Sequence, residues 1–168
     1  PVKELPQSIQ LIDAKIMDTV NMTKMEAITD IASGVVRQNI FGGLWDSFAI
    51  RGFAGDENFP SGILVNGFNG GRGYGGARDA SNVETIEVLK GPNGAVFGRG
   101  EPGGTINIIS KKAKLGKTFG RIGAQAGSYD AYRGEGDLNV ALGSKLAVRV
   151  NGAVEDANSF RKSVHSSK

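Results

Sequence analysis

From Phe119 to Glu155 three consecutive segments alternate apolar and polar side chains, a period of two that only extended strands can use. In the first, Ile122, Ala124 and Ala126 share one face, with Arg121 and Gln125 on the other. In the second, Tyr132, Leu138, Val140 and Leu142 back onto Arg133, Glu135, Asp137 and Asn139. The third sets Leu146, Val148, Val150 and Val154 against Arg149, Asn151 and Glu155. The joints, Ser128-Tyr129-Asp130 and Gly143-Ser144, are short enough for hairpins. A sheet with two such unlike faces has two homes. In a soluble sandwich the apolar face turns to a core. In a membrane barrel it turns to lipid, and about 9 to 11 residues is the length a tilted strand needs to cross. Periodicity alone leaves both open.

The stretch Val83 to Lys112 joins an apolar β-type segment, a Gly91-Pro92 turn, a glycine cluster and a second β-type segment. Gly98, Gly100 and Gly103 fit a G-x-G-x-x-G pattern, but a dinucleotide site needs a helix after it, and Thr105 to Ile109 reads as a strand. As a phosphate loop it fails too, because Gly104 occupies the lysine slot after Gly103 and leaves no cation for a phosphate. Saturable binding of ATP or NAD would have to be shown to revive a nucleotide-binding enzyme. Gly98, Gly100, Gly103 and Gly104 therefore read as a structural turn, in which the backbone takes positive φ and passes close to a neighbouring strand.

Composition argues against catalysis. The single histidine, His165, sits in a Ser/Lys-rich tail and there is no cysteine, which removes the usual general base, thiolate nucleophile and transition-metal ligand set. A net charge of +3 over 168 residues is too small to imply nucleic-acid binding. No apolar run reaches the length of a transmembrane helix, which does not exclude a membrane barrel. The chain opens at Pro1 without a methionine and reads as a piece of something longer. Its 26 glycines, roughly twice average usage, imply tight turns and adaptable loops.

Before the alternating region the pattern is mixed. Ser8 to Ile12 alternates as a short strand, and Asp13 can cap a helical turn through Ala14, Ile16 and Met17. Thr23-Lys24-Met25-Glu26 is a capping-box pattern, followed by Met25, Ile28 and Ile31 on one apolar face and Gly34 as terminator. Helical spacing explains those methionines as core. Further strands are expected at Ser47 to Arg51, at Ile63 to Val65 before an Asn66-Gly67 turn, and at Ile86 to Leu89.

Pro6-Gln7-Ser8-Ile9, Ile50-Arg51-Gly52-Phe53, Val65-Asn66-Gly67 and the Val83 to Lys112 stretch occur in an order and spacing that resembles the plug domain of TonB-dependent outer-membrane receptors, most closely the ferric-siderophore branch. The likeness runs from about Leu5 to Lys112. Ser33 departs from the pattern, standing where the family usually has proline before Gly34-Val35, and the Gly70 to Gly76 run is richer in glycine than usual. The resemblance implies an α+β fold: a mixed plug (cork) domain with a small sheet and short helices over 1–112. It also implies that 113–168 holds the first antiparallel strands of a truncated transmembrane β-barrel, about three strands of one that has 22 in this family.

What the resemblance implies functionally is uptake of a ferric siderophore across the Gram-negative outer membrane. The plug would sit in the barrel lumen and the remaining barrel of the same receptor would enclose it. TonB would pull through a segment upstream of Pro1. Iron would travel inside the chelate, with no cofactor and no metal bound by protein. By family position Arg51 and Lys90 are the two plug cations that pair with glutamates of the barrel wall. Those glutamates lie beyond Lys168, so both cations are expected to face solvent here. Arg37 and Trp45 in one loop, and Arg72 and Tyr74 in the Phe68 to Tyr74 loop, are the expected cargo contacts. Two other readings stand beside this one: a soluble plug-like binding module without a barrel, and a receptor for another cargo such as a cobalamin.

Overall fold

The apolar positions of the first half gather around one mixed sheet. The computed structural model describes residues 8–38, 45–53, 62–70, 77–92, 102–158 and 165–167. The chain divides into two units, Pro1–Lys111 and Lys112–Lys168. In the first unit, β1 (Ser8–Asp13), β4 (Ile63–Val65), β5 (Phe68–Asn69), β6 (Val83–Lys90) and β7 (Gly104–Ser110) form a sheet in the order β1-β6-β7-β4-β5. The β4–β7 pair is parallel and the others are antiparallel. A separate hairpin joins β2 (Val35–Arg37) to β3 (Phe48–Ile50).

Alternation decides which sheet face is covered. Ile12, Ile86, Val88, Ile106 and Ile108 fall on one face in register, and all are buried together with Met17, Met22, Met25 and Ile28. Burying an aliphatic side chain of this size contributes about 1.5 to 3 kcal/mol. Met17 and Met25 are core, as their helical spacing suggested, and Met22 joins them. The short helix α1 (Ala14–Thr19) starts as expected, with the Asp13 carboxylate accepting the Ile16 N–H at 2.9 Å.

The capping box at Thr23–Glu26 does not form. The chain instead makes a 3-10 turn, Met25–Ala27, running into α2 (Ile28–Ile31), and Lys24 at its start makes no side-chain cap. A segment distant in sequence bonds to this stretch instead. Met25 N–H donates to the Arg78 carbonyl at 3.1 Å, Ala80 N–H donates to the Thr23 carbonyl at 2.9 Å, and Lys24 bridges Asp79. Two further expectations shift. The strand read as ending at Arg51 ends at Ile50, and β2 and β5, too short to show a period, go unread in the sequence.

In the second unit β8 (Phe119–Gly127), β9 (Ala131–Ala141), β10 (Ala147–Asn158) and the short β11 (His165–Ser167) make an antiparallel sheet in the order β11-β10-β9-β8. His165, read as part of a tail, pairs with Asn158. The faces of this sheet are inverted relative to a soluble protein. Ile122, Val150 and Val154 are 91%, 65% and 69% exposed, and Tyr132, Leu138 and Val148 are exposed beside them. On the reverse Arg133 and Asn139 are buried. Among the described residues no helix is long and apolar enough to cross a membrane, which says nothing of strands.

Candidate functional site

Arg51 owes its position to a tight turn. Ile50 and Phe53 exchange both backbone hydrogen bonds, at 3.1 and 3.0 Å, so Arg51-Gly52 is a two-residue hairpin turn with Arg51 at φ +52°. The Asn66-Gly67 turn between β4 and β5 repeats this geometry, with Asn66 at φ +53°. Asparagine suits the left-handed region and arginine does not. An arginine held there is a local departure from turn chemistry of the kind that gathers at functional positions.

Lys90, the last residue of β6, lies beside it. The side chain of Arg51 runs close to Gly91, with Nη1 3.9 Å from where a Cβ on that glycine would stand. Two cations 39 positions apart in sequence are thus brought to the same end of the sheet. Lys90 Nζ donates to Gln10 Oε1 at 3.1 Å and to Ser33 Oγ at 2.8 Å. Ser33, the departure from the family pattern, therefore supplies an acceptor that a proline could not. Arg51 is exposed and Lys90 half-buried. Among the described residues neither cation meets a carboxylate.

The glycine pair Gly103-Gly104 makes this approach sterically possible. A Cβ on Gly103 would stand 2.0 Å from the Ile50 carbonyl oxygen, and one on Gly104 would stand 2.3 Å from the Leu89 carbonyl oxygen. Both contacts are with backbone and cannot be relieved by a side-chain rotation. The start of β7 is wedged between the residues just before Arg51 and just before Lys90. Gly98 and Gly100, the other two glycines of the turn, lie outside the described residues.

Of the four expected cargo contacts, two can be placed. Arg37 closes β2 and its Nη1 lies 2.6 Å from Glu26 Oε2, with the two side chains 49% and 37% exposed. Trp45 is half-buried and precedes Asp46. Arg72 and Tyr74 fall outside the described residues.

Asp46 and Arg78 went unread in the sequence. Asp46 is 2% exposed, and its Oδ2 accepts from the Arg78 N–H at 3.0 Å and from Arg78 Nη1 at 3.2 Å. Arg78 Nη2 donates to the Gly70 carbonyl at 2.7 Å. Burial pushes the Asp46 carboxyl above its ordinary value, outweighing the opposing pull of Arg78, with a smaller upward push from Glu26. A lone Asp or Arg in a glycine-rich stretch carries no pattern, so only contact reveals the pair.

The polar face of the second unit is also organised. Arg149 holds Asp137 through two bonds, at 2.8 and 2.7 Å, and its guanidinium lies 5.3 Å from the Phe119 ring centroid. Arg133 reaches Glu155 at 3.2 Å and Glu135 at 3.7 Å. Asn139 donates to the Lys114 and Lys117 carbonyls and accepts the Lys114 N–H, fastening the lead-in segment to β9. Among the described residues no three metal-ligating side chains converge.

Comparison with known proteins gives the same outline. The family model for the TonB-dependent receptor plug domain matches residues 1–105. The metal-pseudopaline receptor CntO of Pseudomonas aeruginosa is 40% identical over 162 residues, covering 95% of this chain and 22% of that protein. Among solved structures, the open form of the ferric-catecholate import receptor Fiu from Escherichia coli superposes with a TM-score of 0.81 at 28% identity, over 99% of this chain and 24% of that one. The siderophore receptor PiuA from Acinetobacter baumannii gives 0.82 at 27% identity, over 94% and 22%. The chain spans about a fifth to a quarter of the length of these relatives. They are receptors rather than enzymes.

Proposed function

Because the chain belongs to the TonB-dependent receptor plug domain family, we propose that it forms the plug and the opening barrel strands of an outer-membrane receptor that takes up a ferric siderophore. The observation that carries this reading is the inverted sheet: a plug-type unit is followed by strands of 9, 11 and 12 residues whose apolar face is bare, while Arg133 and Asn139 on the polar face are buried and most charges beside them are partly covered. Water would penalise that arrangement, and a bilayer outside with a polar lumen inside rewards it. Among the described residues β8 and β11 form the edges of this sheet, and in lipid they call for further strands of the same receptor, since an unpaired backbone group there costs several kcal/mol.

In this reading the plug fills the lumen and Arg51 and Lys90 seat it against carboxylates of the barrel wall. Inside a filled lumen, a charge stripped of its partner costs about 3 to 5 kcal/mol, so such pairs fix the seat firmly while remaining breakable by an applied force. Gly103 and Gly104 set the spacing of the two cations. Cargo binds above the plug through Arg37, Trp45, Arg72 and Tyr74, where guanidinium groups make forked hydrogen bonds to chelate oxygens and aromatic rings supply rigid contact area. TonB, pulling from the periplasm, opens the path. No bond in the cargo is made or broken, and iron stays within its chelate.

A metal chelate other than ferric iron is the second reading, favoured by the 40% identity to a receptor for metal-pseudopaline. The test is peptide mapping of the source cell's outer-membrane fraction, combined with radio-iron uptake by cells carrying Arg51→Gln with Lys90→Gln. Peptides running on from this chain into further alternating segments, with uptake lost in the double variant, are expected. A mature product confined to the soluble fraction would sink the transport reading in favour of a stand-alone binding module. Normal uptake and plug stability in the double variant would remove the seating role.

A further inference from the structure

Arg78 bonds beside or within both spans expected to carry cargo contacts. Its Nη1 and its backbone N–H meet Asp46, which follows Trp45 at the close of the first span, and its Nη2 meets the Gly70 carbonyl in the second. Its own carbonyl receives the Met25 N–H at the start of the helical turn. Three stretches far apart in sequence, around residues 25, 46 and 70, thus converge on one residue. The chemistry requires arginine, because the two acceptors lie in different directions and only a planar fork with fixed N–H vectors reaches both. It also requires burial. The neighbouring Arg37–Glu26 pair is largely exposed and free to exchange with solvent, whereas Asp46 is shut away and has Arg78 as its close cation.

We propose that Arg78 is a positioning residue for cargo recognition: with Asp46 it clasps the anchor points of the two spans, at Asp46 and at Gly70, in one fixed relation that is set before cargo arrives. This rests on the reading that these spans face the cargo. A clasp of this kind acts by raising the fraction of molecules already in the binding arrangement, and losing it lowers apparent affinity by that fraction.

The test uses the intact receptor with two variants. Arg78→Lys keeps the charge but cannot span both acceptors. Asp46→Leu with Arg78→Met replaces the buried pair by apolar volume, an exchange that commonly leaves stability unchanged or higher. Thermal midpoint, amide hydrogen exchange, and binding of a ferric tris-catecholate and a ferric tris-hydroxamate chelate are compared with wild type. The expected result is a double variant as stable as wild type, whose amides at Asp46–Ser47 and at Asn69–Gly70 exchange faster together. Its affinity should fall about tenfold, the loss expected if roughly one molecule in ten retains the binding arrangement. A stable double variant with unchanged exchange and affinity would overturn the clasp, as would faster exchange at one span alone. If wild type binds neither chelate, the siderophore reading falls, while the exchange data still decide whether the spans are coupled.

Discussion

The two units of this chain bury opposite kinds of side chain. In the first, Ile12, Ile86, Val88 and Ile106 are inside and charge is mostly outside; in the second, Arg133, Asn139, Arg149 and Asp137 are covered while Ile122, Val150 and Val154 are bare. Both are sheets and both obey a period of two. In the proposed reading what differs is the solvent each face is built for, and so the same substitution has different consequences in each.

The largest expected effect tests the covered faces against each other. Arg149→Met removes the two-bond partner of the Asp137 carboxylate, and breaking a buried pair by removing one member costs about 3 to 5 kcal/mol. Ile86→Ala in the plug core leaves a cavity worth about 2 to 5 kcal/mol. Denaturant midpoints in detergent should show both losses. A neutral Arg149→Met would mean that the polar face of the second unit is ordinary surface, and the contrast would collapse.

The bare faces come next. Val150→Arg should cost about 2 to 4 kcal/mol when the receptor is folded into lipid vesicles, with the cost falling for positions nearer the strand ends. Equal folding of variant and wild type in vesicles would count against a lipid-facing surface.

Within the first unit, Asp46 is the exception that resembles the second, and pH sharpens the likeness. Its carboxyl is raised above the ordinary 3.8 by burial. Its contribution to stability is therefore complete below that value and is lost as pH rises through the raised folded value. Going from acid to neutral pH, wild type should lose ground to Asp46→Asn in thermal unfolding. A gap that moves the other way would show that Arg78 outweighs desolvation.

The smallest effect belongs to Glu26→Gln. Its pair with Arg37 is short but solvent-screened, and about 0.5 kcal/mol or less is expected. A loss several times larger in the same unfolding assay would mean that this pair is shielded in the receptor.

Much of this was legible beforehand, for identifiable reasons. The β8, β9 and β10 segments declared themselves because each is long enough to repeat its period several times. The Asn66-Gly67 turn and the Asp13 cap were legible because their chemistry is local. The Thr23–Glu26 capping box does not form in a stretch whose Met25 N–H and Thr23 carbonyl are instead bonded to Arg78 and Ala80, more than 50 positions away. The strand read through Arg51 stopped one residue short because the turn needs a positive φ that arginine does not advertise. In the candidate site, family position named Arg51 and Lys90 but not the wedge of Gly103 against Ile50 that brings them together.

The sequence by itself determined the long strands, the Asp13 cap, the Asn66-Gly67 turn and the two-faced character of the second unit, since periodicity, turn residues and caps act over a few neighbouring positions. Which face is covered, which carboxylate is buried, and that Arg78 reaches both Asp46 and Gly70 were decided only by the tertiary structure. Those properties depend on atoms brought close from distant parts of the chain, where desolvation and hydrogen-bond geometry act on distances that sequence spacing does not encode.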